Sequence, residues 1–139
     1  MGRLVIDAGV GLKWFLEEDN SDKARAVLKW NDEFYVPQLF YLETSAVLTK
    51  KVRRRELDRD EATRIHHTLS SFPFDTTPDD ILAEQAFDLS LLHHVSMYDA
   101  MYIVLAIGIE GRMVTSDKRF CRAMEQVGLG DWVSMVGEY

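Results

Sequence analysis

The sequence predicts an α/β domain built on a mainly parallel sheet, and three observations carry that reading. Short β-forming runs alternate with helical stretches along the whole chain. The first run, Leu4-Val5-Ile6, is apolar without alternation, as in a strand buried on both faces. No linker, internal repeat or low-complexity stretch breaks the pattern, so residues 1–139 are expected to form a single domain.

The elements follow in order. "RLVIDA" is a strand ending at Asp7, and Val10 to Leu16 begins a helix. In "NSDKARAVLKWND" either Asn20 or Ser21 serves as N-cap, with Ala24, Val27 and Leu28 at helical spacing. "EFYVP" is a short strand stopped by Pro37. Leu39 to Val52 reads as a helix with Glu43 in its first turns and the basic run "KKVRRR" at its end. Asp58 caps another helix, with Ala62, Ile65, His66 and Leu69 on one face. "FPFDTTPDD" is a turn-rich break with a short strand at Phe72 to Phe74. Pro78 opens a helix striped by Leu82, Ala86, Leu89 and Leu92. Ser96 to Glu110 is a helix apolar nearly all round. "RMVTSD" is a strand leading into a helix with Phe120, Met124 and Val127 on one face, and "DWVSMV" closes the chain as an edge strand.

Composition narrows the function. A net charge of −7 argues against coating nucleic acid by bulk electrostatics, but not against local binding by an enzyme. The longest apolar run, Ala100 to Ile109, is about half a bilayer span, and the first residues do not read as a leader or a myristoylation site. A cytoplasmic protein with no membrane partner is the expectation. The single cysteine, Cys121, allows no intrachain disulfide and reads as an ordinary packing residue.

Three acids fall at related positions. Asp7 ends the first strand, Asp117 follows "RMVTS", and Glu43 comes soon after "EFYVP". Parallel strands place their carboxyl ends on one edge, so these acids can converge there, and Asp99 at a helix start can join them. Each also has a plain structural role: Asp99 in a Ser96-x-x-Asp99 capping box, Asp117 as an N-cap, Asp7 as a turn residue. Converging carboxylates repel unless they are protonated or hold a cation. Hard oxygen ligands without Cys or His pairs suit Mg²⁺ or Mn²⁺, and such ions assist phosphodiester hydrolysis.

With these residues in place, the chain resembles a PIN-domain ribonuclease, and most closely the VapC-type toxins of prokaryotic toxin–antitoxin pairs. "VIDAGVGLKWFLEE", "PQLFYLETSAVL", "SMYDAMYIVLA" and "MVTSDKRF" are similar to the family's motifs, in order and across the whole chain. The resemblance implies a three-layer α/β/α sandwich with a central parallel sheet. It implies that Asp7, Glu43, Asp99 and Asp117 bind one or two Mg²⁺ or Mn²⁺ ions and cleave RNA endonucleolytically, with Thr115 beside the fourth acid. It further implies a homodimer held inactive by a VapB-like antitoxin protein. Two positions depart from the pattern: Gly9 stands where a hydroxyl residue is frequent, and Ser45 where an amide is frequent. A supporting hydroxyl near the metal is therefore missing at position 9.

Other features have narrower readings. Lys50, Lys51, Arg53, Arg54 and Arg55 form the dense basic patch, suited either to RNA phosphates or to the dipole of a helix end. Lys13 and Arg119 can orient a phosphate or pair with a carboxylate. "GVGLK" lacks the spacing of a phosphate loop, and the adjacent pairs His66-His67 and His93-His94 diverge on a helix. Trp14, Phe15 and Trp30 read as core or subunit contacts, with an antitoxin groove as the alternative. The rival functions are a PIN nuclease of RNA maturation, a non-catalytic PIN scaffold or RNA-binding module, and a phosphoacceptor domain. The last requires an acidic pair after the first strand, and here Ala8 follows Asp7.

Overall fold

The computed structural model describes residues 2–29 and 33–138; Trp30 lies outside them. The strands are β1 (Arg3–Ile6), β2 (Glu33–Pro37), β3 (Asp75–Thr77), β4 (Arg112–Thr115) and β5 (Val133–Met135). They form one sheet in the order β3-β2-β1-β4-β5, with each pairing parallel. Val5 of β1 sits opposite Tyr35 of β2 and Met113 of β4. The chain runs outward from β1 to β2 and β3, then returns past β1 to β4 and β5. That reversal creates a switch point beside β1, where strand ends open a crevice.

The helices are α1 (Ala8–Lys13), α2 (Ser21–Ala26), α3 (Leu39–Arg53), α4 (Arg59–Ser71), α5 (Asp79–His93), α6 (Met97–Gly108) and α7 (Lys118–Gln126). They flank the sheet in an α/β/α arrangement, which is why β1 is apolar without alternation: Leu4, Val5 and Ile6 are all buried. Helix α6 packs against β1, β2 and β4 and turns 114° from α5. Ala100 through Ala106 are all buried, as its nearly all-round apolar sequence requires. Each large apolar side chain so buried contributes about 1.5–3 kcal/mol. Among the described residues no single helix is long and apolar enough to cross a membrane.

Several local expectations shift. The strand expected at Phe72 to Phe74 forms instead at Asp75–Thr77, which pairs with Tyr35 to Pro37. Pro73 has no N–H to give a ladder, and the Phe74 N–H closes back on the Phe72 carbonyl at 2.8 Å. The two phenylalanines pack on each other and on Trp14 instead. On α5, Leu82 and Ala86 are buried but Leu92 is 73% exposed. At about 100° per residue the stripe from Leu82 continues through His93, not Leu92. His66 lies at the exposed rim of α4, whose buried line is Ala62, Ile65 and Leu69. Asn20 and Asp58 occupy N-cap positions without a side-chain cap bond, and the Ser21 hydroxyl turns back to the Leu16 carbonyl at 2.6 Å. Helix α7 stops at Gln126, leaving Val127 partly exposed beyond it.

Gly111 ties α6 to β4. A Cβ there would lie 2.2 Å from the Arg3 carbonyl oxygen, which is backbone and cannot swing aside. Gly111→Ala must therefore push the start of β4 from β1. It is expected to destabilise the protein by about 1–3 kcal/mol, read as a lower urea midpoint with an unchanged slope.

Candidate active site

The parallel sheet puts the carboxyl ends of β2, β1 and β4 side by side, about 4.8 Å apart per strand. Asp7 directly follows β1 in extended conformation (φ −67°, ψ 147°) and starts α1, its carbonyl accepting from the Gly11 N–H at 3.0 Å. Its carboxylate makes no cap bond to α1. Glu43 lies in the second turn of α3, just after β2. Asp117 follows β4 as the N-cap of α7, Oδ1 accepting from the Phe120 N–H at 3.0 Å. Thr115, buried at the end of β4, accepts from the Asp117 N–H through Oγ1 at 3.1 Å and so fixes that turn. Asp99 sits in the first turn of α6, where the Ser96 hydroxyl caps its N–H at 3.1 Å.

Three of the carboxylates, Asp7, Glu43 and Asp99, are raised by burial and by the charge of neighbouring acids. Asp7 is pushed up to about 7, first by burial, then by the charges of Asp99 and Glu43, with Asp117 adding; the Ala8 N–H opposes the shift. Burial also raises Glu43, against the pull of its hydrogen bond from Tyr102, and Asp99 and Asp79 add to the rise. Asp99 is raised by burial and by Asp117, with the Ser96 hydroxyl opposing. Among the described residues, no ion pair with Lys or Arg neutralises any of the four. Such a group must take up a proton or a cation.

The donor chemistry fits a hard divalent cation: every group is a carboxylate oxygen, and no Cys or His joins them. Among the described residues no three of these side chains are drawn into a ready-made ligand shell. Mg²⁺ asks for less, since it keeps several waters and takes one or two carboxylates plus substrate phosphate oxygens.

The remaining candidates are spread wider. Ser45 faces α4, its hydroxyl 3.1 Å from His66 Nδ1, away from Glu43 on the helix surface. The Lys13 ammonium lies 3.5 Å from Glu18, and Lys51 reaches the same carboxyl group at 3.5 Å. Glu18 thus binds both lysines and clips α1 to α3. Lys50 and Arg53 lie seven and ten residues beyond Glu43, about 10–15 Å along α3. Arg54 and Arg55 follow the helix end, with Arg55 left-handed at φ 59°. Arg119 is exposed in the first turn of α7, two residues past Asp117. A Cβ at Gly9 would rest 3.5 Å from Asp7 Oδ2, an ordinary contact, so a hydroxyl residue fits there.

Sequence reasoning missed Tyr102. Its hydroxyl donates to Glu43 Oε1 at 2.7 Å from a ring that is 1% exposed. Burial and the neighbouring Glu43 and Asp7 raise its pKa, so it stays a donor. The signal was a tyrosine in a buried apolar helix, where a phenol needs a partner, three residues after Asp99.

Sheet order and strand-end acids define the class. The chain belongs to the PIN domain family, whose sequence pattern matches residues 4–125. More narrowly, it is 32% identical over 120 residues to Ribonuclease VapC3 of Pyrobaculum aerophilum, covering 84% of this chain and 91% of that one. Its fold is also that of a toxin–antitoxin complex from Klebsiella pneumoniae (14% identity, TM-score 0.66, covering 98% of this chain and 99% of that one). The crystal structure of PAE2754 from Pyrobaculum aerophilum is similar too (21% identity, TM-score 0.69, covering 97% and 84%).

Proposed function

We propose that this chain is a divalent-metal-dependent endoribonuclease and the toxin of a VapBC-type pair. The observation that carries the reading is Asp7: a partly buried carboxylate at the end of the central strand, raised by the charges of three other acids, with no Lys or Arg ion-paired to it among the described residues. Similarity to a protein named ribonuclease supplies the substrate class. Asp7, Glu43, Asp99 and Asp117 would hold Mg²⁺ or Mn²⁺. The bound ion supplies Lewis-acid stabilisation of phosphate charge and a more acidic water.

The chain's own residues do the rest. Ser96 and Thr115 fix the backbone that aims Asp99 and Asp117, and Tyr102 holds Glu43. Arg119, exposed two residues past Asp117, would meet a substrate phosphate. Lys50, Arg53, Arg54 and Arg55 meet the RNA backbone farther from the cut bond, while Glu18 offsets Lys13 and Lys51.

The partners follow from the same reading. A VapB-like antitoxin is the protein partner, supported by the toxin–antitoxin complex that shares the fold. A homodimer is supported by Ile81, Phe87, Leu91 and Leu92, large apolar side chains left more than half exposed on α5.

Purified protein freed of antitoxin is expected to cleave RNA with Mg²⁺ or Mn²⁺ and to stop in excess chelator. Asp99→Asn should lose cleavage while its circular dichroism is unchanged. Full activity in chelator, or in that variant, would overturn the metal reading, and an inert but metal-binding wild type would favour a scaffold.

A further inference from the structure

We propose that Tyr102 is a positioning residue that makes Glu43 a one-oxygen ligand and so tunes the acidic edge to small divalent cations over Ca²⁺. The inference rests on reading that edge as a cation site. Glu43 and Tyr102 come from different helices, 59 residues apart, and meet at 2.7 Å. The ring is fully buried on α6, a helix packed against the sheet, so it cannot follow Glu43 if that side chain swings away. Glu43 is half-buried and has three flexible torsions, which the bond restrains. Among the described residues the bond engages Oε1, and Oε2 makes none. Asp99 lies one turn before Tyr102 on α6. One helix therefore presents an acid and also fixes the acid offered by α3.

The consequence is chemical. Mg²⁺ and Mn²⁺ favour near-octahedral shells of single oxygens, whereas Ca²⁺ takes six to eight and readily uses a carboxylate bidentately. A buried hydroxyl on Oε1 takes one of that oxygen's two lone pairs and pins the carboxylate, which disfavours bidentate use. Removing the hydroxyl returns that lone pair and loosens the side chain.

The test is calorimetric titration of MnCl₂ and CaCl₂ into wild type, Tyr102→Phe, Glu43→Gln and the double variant. Tyr102→Phe is expected to weaken Mn²⁺ roughly 10-fold and Ca²⁺ much less, so the preference for Mn²⁺ falls. In the Glu43→Gln background the same change should alter neither affinity, because the coupling runs through that carboxylate. A wild-type preference in Tyr102→Phe, or the same loss in the Glu43→Gln background, overturns the proposal. If Tyr102→Phe does not fold, Glu43→Asp takes its place: it keeps the charge, withdraws it from the hydroxyl, and must lose the preference likewise. A wild type that binds neither ion, indistinguishable from Asp99→Asn, defeats the cation reading itself and the inference with it.

Discussion

Asp7→Asn is expected to make the protein more heat-stable and catalytically dead. At neutral pH the native fold holds a carboxylate that burial and three like charges push up to about 7. In the unfolded chain the same group titrates at its ordinary value of 3.8. The folded state therefore binds more protons than the unfolded state between those values. Stability falls as pH rises through that window and is flat above it. At about 1.4 kcal/mol per pKa unit, the penalty at pH 8 is on the order of 4 kcal/mol. Asn is nearly isosteric and uncharged, so it removes the penalty along with a cation ligand. Differential scanning at pH 8 should show a melting temperature higher by roughly 10 °C. Melting temperatures of the variant across pH 4 to 7 should be flatter than those of wild type. RNA cleavage should fall by about 10³-fold or more, since several kcal/mol of charge stabilisation go with the ligand. Saturating Mn²⁺ should raise the wild-type melting temperature more at pH 8 than at pH 6, because protons compete for Asp7, and should do little for the variant. A variant that melts lower at every pH would show that Asp7 supports the fold rather than straining it.

That trade explains which parts of the molecule were readable from sequence. Strand ends and helix starts are local events. Leu4-Val5-Ile6 before Asp7, and Met113-Val114-Thr115 before Asp117, mark where the chain leaves the sheet, and parallel topology alone puts those points on one edge. Contacts between distant segments leave no local mark. The Tyr102–Glu43 bond joins two helices, and each residue taken alone has an ordinary reading. Around Glu43, Leu39 and Phe40 are buried while Leu42, Ala46 and Val47 face outward, so Glu43 sits at the margin of the buried face of α3. What holds it there is a phenol across the interface. Ser45 shows the same limit: two residues along a helix is about 200°, which turns it from Glu43 round to His66 on α4, a contact no local pattern marks. The strand slip at Phe72 to Phe74 has a different origin. β-propensity favoured the phenylalanines, but their rings are used by Trp14.

Trp14→Ala is expected to cost more stability than any other substitution considered, about 3–5 kcal/mol for the cavity alone. Trp14 ends α1, the helix that begins at Asp7, and is 6% exposed. Its ring lies 5.2 Å from Phe72, 6.0 Å from Phe74 and 6.1 Å from Phe34, so one side chain joins α1, β2 and the turn before β3. The indole N–H donates to the Ala24 carbonyl at 2.9 Å and draws in α2. Alanine leaves that buried carbonyl without its donor as well, which adds about 1–3 kcal/mol. Against a total of roughly 5–15 kcal/mol, the variant sits near the unfolding threshold at 37 °C. Trp14→Phe separates packing from recognition. It keeps a ring against Phe72 and loses the hydrogen bond, so its urea midpoint should fall by about a third as much as that of alanine. RNA affinity of the folded Phe variant should match wild type, because a ring enclosed by three phenylalanines has no face for a base. A Phe variant of wild-type stability that has lost RNA binding would instead make Trp14 a stacking platform. A weakened grip on antitoxin alone would place the partner's tail against this cluster.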